Sequence, residues 1–244
     1  MKRWSLVLAT MLVLVMSTNV FAVEVEGDAY IGVYSKYLWR GYDLSDGEAV
    51  LQGGMDLSAY GFTVSYWSNY QISDGDSPEL ESGEITETDI IIDYTFDATE
   101  MLSVSVGNLH YYYNSTGSDD ELYLGFAVDT LLAPEFYTYY AWDVEDDSGM
   151  DGLFFTLGVS HELEPCENVL VGLGALVGYN QENPLVGDYS NFHNAELTVS
   201  ADYALNDNWS ITGGLLYSDA LTDDAEDEGV EDEVVGSLDV TFAF

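Results

Sequence analysis

The sequence predicts an all-β fold: an antiparallel transmembrane β-barrel of about twelve strands, with short periplasmic turns and longer acidic external loops. Three observations carry this. Apolar and polar residues alternate with period two in segments of roughly ten residues, the length a membrane-crossing strand needs. The connections between these segments alternate between short and long. Tyr and Trp gather at the segment ends, as the interfacial girdles of such barrels do. Alternation alone also suits a secreted β-sandwich, but a sandwich gives no reason for loop length to sort by parity.

The chain opens with Lys2 and Arg3, an apolar run from Trp4 to Met16, a polar break at Ser17-Thr18-Asn19 and Ala22 at the expected cleavage position. This is the pattern of a secretory signal peptide, too short and wrongly flanked for a transmembrane helix. The expected organisation is therefore a signal peptide over 1–22 and one barrel domain over 23–244, exported to the outer membrane of a Gram-negative cell.

The first strand is expected over 28–42, with Ala29, Ile31, Val33, Tyr37 and Trp39 outward. That register puts Lys36 and Arg40 on its inner face. Next, Ala49, Leu51, Gly53, Met55 and Leu57 oppose a face carrying Asp56. Ile90, Ile92, Tyr94 and Phe96 oppose Glu87, Asp89 and Asp93. Leu122, Leu124, Phe126 and Val128 oppose Glu121 and Asp129. Leu153 to Val159 and Val169 to Val177 alternate with small residues. Ala195, Leu197, Val199, Ala201 and Tyr203 oppose Glu196 and Asp202. The last strand sets Leu238, Val240, Phe242 and Phe244 outward and Asp239 inward. Ending on Phe, it is expected to close the barrel against the first strand, since an unpaired edge in lipid leaves backbone groups unsatisfied.

The short connections are Tyr60-Gly61, Asp97-Ala98-Thr99, Ala133-Pro134, Glu162–Asn168 and Asn206-Asp207-Asn208. The long ones are 71–83, 114–120, 144–151, 181–188 and 220–233. With Val23 in the periplasm, every long and mostly acidic loop falls outside.

Composition limits the partners. Once the signal is removed, only Lys36 and Arg40 face 45 Asp and Glu. Nucleic acid and anionic membrane surfaces both require cationic patches, so neither is expected as a partner. With 47% hydrophobic and 14% aromatic residues the chain has ample material to bury, unlike a disordered acidic chain. Cys166 is alone, so no internal disulfide staples the fold.

One stretch is a signature. SKYLWRGYDLSDG (35–47), LQGGMDLSAYGF (51–62) and SYWSN (65–69) resemble the opening of the TorF-like family of outer-membrane porins. The matching positions are Ser35, Tyr37, Arg40, Gly41, Ser45, Asp46, Gly47, Gln52, Gly53, Gly54 and Asn69. The resemblance implies an outer-membrane porin and brings no catalytic residues. Recognition of the last strand by the barrel-assembly machinery is likewise implied by likeness to outer-membrane barrels.

Catalytic patterns are weak. Ser160 and His161 are adjacent and so lie on opposite strand faces. His110 sits near a strand end, and His193 is expected to face lipid. No H-E-x-x-H or paired-cysteine metal pattern occurs. No enzyme activity, catalytic residue or cofactor is expected. In the acidic stretch 223–233, setting Gly229 at the EF-hand glycine places Asp224, Glu226 and Glu228 as ligands, but Val235 falls where a bidentate Glu is required. Weak divalent-cation binding at the acidic loops and a merely solvated loop both stay open.

Lys or Arg on the lipid face costs ~2–4 kcal/mol near the midplane, which forces Lys36 and Arg40 inward. The expected pore-lining set is Lys36, Arg40, Asp56, Glu87, Asp89, Asp93, Glu121, Asp129, Glu196, Asp202 and Asp239. The functional expectation is passive diffusion of small hydrophilic, preferably cationic, solutes. The alternative is a non-conducting or cation-binding surface barrel whose lumen is filled.

Overall fold

The computed structural model describes residues 25–77, 80–114, 116–144 and 152–244. The expected signal peptide lies outside the described residues. Twelve strands close into one antiparallel barrel, and two short strands form a separate hairpin. In chain order the barrel strands are β1 (Glu26–Tyr34), β4 (Val50–Ala59), β5 (Phe62–Gln71), β6 (Ile85–Thr99), β7 (Leu102–Tyr113) and β8 (Gly117–Val128), then β9 (Glu135–Asp143), β10 (Leu153–Cys166), β11 (Val169–Gln181), β12 (Ser190–Ala204), β13 (Trp209–Ala220) and β14 (Glu233–Ala243). The hairpin is β2 (Leu38–Trp39) with β3 (Tyr42–Asp43), and among the described residues a short helix, α1, spans Asp223–Asp227.

Each strand pairs with its sequence neighbours, and β14 returns to β1. The closing ladder sets Val33 opposite Leu238, Ile31 opposite Val240 and Ala29 opposite Phe242. Gly27 and Phe244 then exchange backbone hydrogen bonds of 3.0 and 2.8 Å. Closure leaves no open edge in the barrel, so every barrel strand pairs its backbone on both sides.

Period two decides which face is greasy. Ile31, Leu157, Leu197, Leu215 and Leu238 point away from the barrel and are each more than half exposed. A soluble protein rarely shows so large an apolar surface; around a barrel it forms the lipid-facing band. At the short-turn end this band is rimmed by rings, with Phe62 and Tyr94 4.6 Å apart and Trp209 and Phe242 4.7 Å apart.

The connections after β4, β6, β8, β10 and β12 lie at one end of the barrel, and those after β1, β5, β7, β9, β11 and β13 at the other. The latter are all longer than the turns opposite except the β7–β8 connection, which is shorter than the 129–134 and 205–208 turns. Strand lengths differ from expectation in places. β8 starts at Gly117, so the β7–β8 connection is 114–116 rather than 114–120. The acidic segment after β13 is partly ordered as α1, whose N-cap Thr222 accepts from the Ala225 amide.

The largest departure is in the first strand. β1 stops at Tyr34, and 35–49 is an inserted loop rather than a continuation to Tyr42. Arg40 and Gly41 take φ of 50° and 88°, turning the chain between β2 and β3 with two left-handed residues, the geometry of a tight primed hairpin. Asp43 fixes the return. Its Oδ1 accepts from the Ser45 amide and hydroxyl, both at 2.9 Å, and its Oδ2 accepts from the Gly47 amide at 2.7 Å.

Candidate functional site: the lumen and its inserted loop

Loop 35–49 lies against interior-facing side chains from around the barrel. Its centre is Arg40. The guanidinium donates to both carboxylate oxygens of Glu121 on β8, at 3.1 and 2.7 Å. The same carboxylate accepts from the Tyr111 hydroxyl at 2.9 Å and from the Asn183 side-chain amide at 3.1 Å. Glu121 is fully buried, so its charge is stable only because donors surround it. The Arg40 plane stacks over Trp39, Tyr139 and Phe154, with centroids 4.4, 4.9 and 4.3 Å away.

The backbone of Arg40 is pinned as well. His193 Nε2 lies 2.6 Å from the Arg40 carbonyl, and the Tyr189 hydroxyl bonds His193 Nδ1. A carbonyl can only accept, so Nε2 carries the proton and Nδ1 accepts from Tyr189. His193 was expected to face lipid, yet it is fully buried. The cause is a register shift. Val177 pairs with Ala195, but Tyr179 pairs with Phe192, so His193 and Asn194 together oppose Gly178. This bulge turns both side chains inward.

The rest of the loop is held at other points. Tyr42 donates to the Val186 carbonyl at 2.6 Å, and Gln71 donates to the Ser45 carbonyl at 3.2 Å. Lys36 bonds Glu233 and lies 3.3 Å from Asp43. Burial works against the Arg40 and Lys36 charges, but Glu121 in one case, and Glu233 and Asp43 in the other, outweigh it and hold both cations above their ordinary pKa.

Lys36 and Arg40 are therefore loop residues, not members of a strand face. Asp56, Glu87, Asp89, Asp93, Glu121, Glu196, Asp202 and Asp239 lie on the interior parity of their strands. Asp129 does not belong with them: β8 ends at Val128, and Asp129 is exposed in the following turn. Neutral donors serve several of these acids. Tyr123 bonds Asp93 and Tyr34 bonds Asp239, both at 2.5 Å, while Thr212 bonds Asp202 at 2.7 Å and Asn194 bonds Glu196 at 2.9 Å.

Space remains beside the loop. A cavity of about 250 Å³ lies under Arg40, between Leu109, Tyr139, Leu176 and Glu196. Another of about 270 Å³ lies between the loop and the small residues Ser200, Gly214 and Ser237 of β12 to β14.

The other histidines stand apart. His110 Nδ1 is 3.0 Å from Asp120, and His161, near the short-turn end, is 2.9 Å from the Leu131 carbonyl. Among the described residues no three His, Cys, Asp or Glu gather closely enough to hold a metal ion.

The inserted loop and its ring of contacts were not visible in the alternation, because Tyr37 and Trp39 continue the pattern of Ile31 and Val33. The signal that could have found the loop is the pair of turn dipeptides, Arg40-Gly41 and Asp46-Gly47.

A closed twelve-stranded antiparallel barrel with an apolar outer band and a charged, loop-occupied interior has the fold of outer-membrane porins. The chain belongs to the Gcw_chp family, described as bacterial proteins of unknown function, whose model matches residues 22–242. No curated protein matches the chain. Among solved structures it is similar to the NanC porin, at 14% identity and a TM-score of 0.54, covering 88% of this chain and 98% of that one. The KdgM porin, solved in complex with disordered oligogalacturonate, gives 11% identity and a TM-score of 0.53 over 89% and 99% of the two chains. An outer-membrane channel from Pseudomonas putida F1 gives 11% and 0.52 over 93% and 97%. At these identities the likeness is one of fold.

Proposed function

We propose that this protein is a porin-like channel of the bacterial outer membrane, through which small hydrophilic and preferably cationic solutes diffuse past loop 35–49. The observation that carries the reading is the charge balance of the interior. Both loop cations are engaged pairwise, Lys36 with Asp43 and Glu233 and Arg40 with Glu121. Asp93, Asp202 and Asp239 are met by neutral hydroxyls instead. Acids of this kind inside low-dielectric walls focus a negative potential along the lumen and attract cations. The fold likeness to porins and the TorF-like opening motif support the same reading. In this orientation the short turns face the periplasm, the signal peptide exports the chain, and the assembly machinery engages β14.

Single-channel recording in planar bilayers tests it. Discrete conductance with a cation-selective reversal potential under a KCl gradient supports the proposal; an anion-selective value overturns it. One observation favours a second reading, a filled barrel: the loop reaches from Glu233 on β14 to Glu121 on β8. Silence at all salts and voltages in the wild type, with conductance appearing once the loop is unpinned, establishes that reading.

A further inference from the structure

The 250 Å³ cavity under Arg40 has two unlike walls. Leu109, Tyr139, Phe154 and Leu176 make one apolar and aromatic, while Thr156, Asn194 and Glu196 make the other polar. Leu176 and Glu196 are direct partners across β11 and β12, so the two walls meet there. On the polar side one atom is unanswered. Asn194 is 1% exposed, and its Oδ1 accepts no hydrogen bond. Its Nδ2 donates to Glu196 Oε1 at 2.9 Å and to Ser218 Oγ at 3.4 Å. A carboxylate only accepts, so this bond fixes which end of the amide faces Glu196. Oδ1 is left on the side of Phe154. A methyl group at Gly178 would lie 2.5 Å from that oxygen and 2.8 Å from Phe154 Cζ, so the glycine keeps the space before it open.

The charges around the cavity do not cancel. Arg40 is engaged at two points by Glu121, and Lys36 is held by Asp43 and Glu233. Glu196 has no cationic partner among the described residues; Asn194 is its donor. With Arg40 and Glu121 neutralising each other, Glu196 leaves one negative charge in excess beside an apolar wall. A buried acceptor without a donor is costly, so a ligand that brings N–H groups gains by filling this space.

We propose that this cavity binds a small organic ammonium ion, a solute with one –NH₃⁺ head on a short apolar body. The inference deepens the porin reading and rests on it only for the solute's access to the lumen. The three N–H groups of the head are met by Glu196, Asn194 Oδ1 and the Thr156 hydroxyl, and the head's charge balances Glu196. The body lies against Leu109, Phe154 and Leu176, where its apolar surface leaves water. A bare metal ion gains nothing from that wall, and a neutral polyol leaves Glu196 unbalanced. The cavity is smaller than the ~300–1,000 Å³ of drug-sized sites, which limits the body to a few carbons.

The test is calorimetric titration of the full-length protein in detergent, with empty micelles as the blank. The probes are n-butylammonium chloride, butan-1-ol, ammonium chloride and glucose. Butylammonium is expected to fill one saturable site, with the other three each at least about tenfold weaker. Glu196→Gln, which removes the charge and keeps the shape, should weaken butylammonium about tenfold or more. Leu176→Phe, which fills the apolar half, should abolish binding, and Asp129→Asn in the exposed turn should leave it unchanged. Unaltered affinity in Glu196→Gln or in Leu176→Phe overturns the proposal. So does butan-1-ol or the bare ammonium ion binding as well as butylammonium, or glucose binding more tightly, which would identify a polyol site instead. Should Glu196→Gln fail to fold, the ranking of the four probes on the wild type decides. Calorimetry needs no current, so the two readings fail separately. A silent channel that binds butylammonium removes the porin reading and keeps this one; a conducting channel that does not bind it does the reverse.

Discussion

The Arg40 guanidinium and the Glu121 carboxylate, 81 positions apart in sequence, meet in a two-point hydrogen-bonded pair deep in the barrel. Such a pair fixes geometry as well as charge, because the planar fork fits the carboxylate in one orientation. Removing one member leaves the other as an isolated buried ion. Arg40→Met should therefore cost about 3–5 kcal/mol of stability, read from thermal or denaturant unfolding in detergent. Arg40→Met/Glu121→Gln should recover much of that loss. A double variant as unstable as the sum of the singles would show that the two residues act independently. In bilayers, Arg40→Met should also raise conductance, since the loop loses its central anchor.

Selectivity should follow the interior acids. A reversal potential under a KCl gradient should favour K⁺, and the preference should shrink as salt shortens the screening length. Asp56→Asn and Asp202→Asn should each reduce it, since neither residue has a cationic partner among the described residues. Asp129→Asn should leave it nearly unchanged, because that residue sits in an exposed turn.

Alkali should loosen the loop. Burial pushes the Tyr37 phenol well above its ordinary 10.0, helped by Glu87 and Asp89, and pushes Tyr42 up to about 12, helped by Glu228. For Lys36, burial works against the charge, but its hydrogen bonds to Glu233 and Asp43 raise it above 10.5. All three have folded-state pKa values above their unfolded ones. Their contribution is complete below pH 10.0 and is lost as pH rises beyond it. The melting temperature should thus fall above that pH, and Lys36→Met should lower it at neutral pH while making the alkaline fall shallower. An equally steep fall in Lys36→Met would remove Lys36 from the account.

Two glycines serve as seats for tyrosine rings. Gly107 pairs across the ladder with Tyr123 and Gly125 with Tyr137, and a methyl group at either site would lie 2.5 or 2.2 Å from the facing ring. Covering a strand glycine with a cross-strand aromatic ring stiffens both. Gly125→Ala should displace Tyr137 at a cost of about 1–3 kcal/mol, measured by thermal unfolding. A neutral result would mean that the ring swings away freely.

Most of the barrel was legible because its physics is local. A strand with lipid on one side and charge on the other must alternate, so Ile90, Ile92 and Tyr94 could be set against Asp89 and Asp93 directly. The closing contact of β14 with β1 was also legible, since an edge in lipid has to be paired. The site was legible in its members but not its form. Lys36 and Arg40 were placed inside by the cost of a charge in lipid, yet the side chains between them kept the strand pattern and hid the turn at Arg40-Gly41. His193 was misplaced for a related reason. A single extra residue opposite Gly178 reverses parity, and nothing in the alternation of Phe192, Asn194 and Glu196 marks where that residue falls.

The long reach of loop 35–49 also bears on the order of assembly. Lys36 bonds a residue 197 positions later, and the Arg40 carbonyl bonds one 153 positions later. Contacts so distant in sequence form late, after the intervening chain has been organised. A half-built barrel should leave this segment undocked and open to protease, and its docking should report that the final strand has arrived. The timing of protection at Arg40 during refolding would therefore serve as a clock for closure.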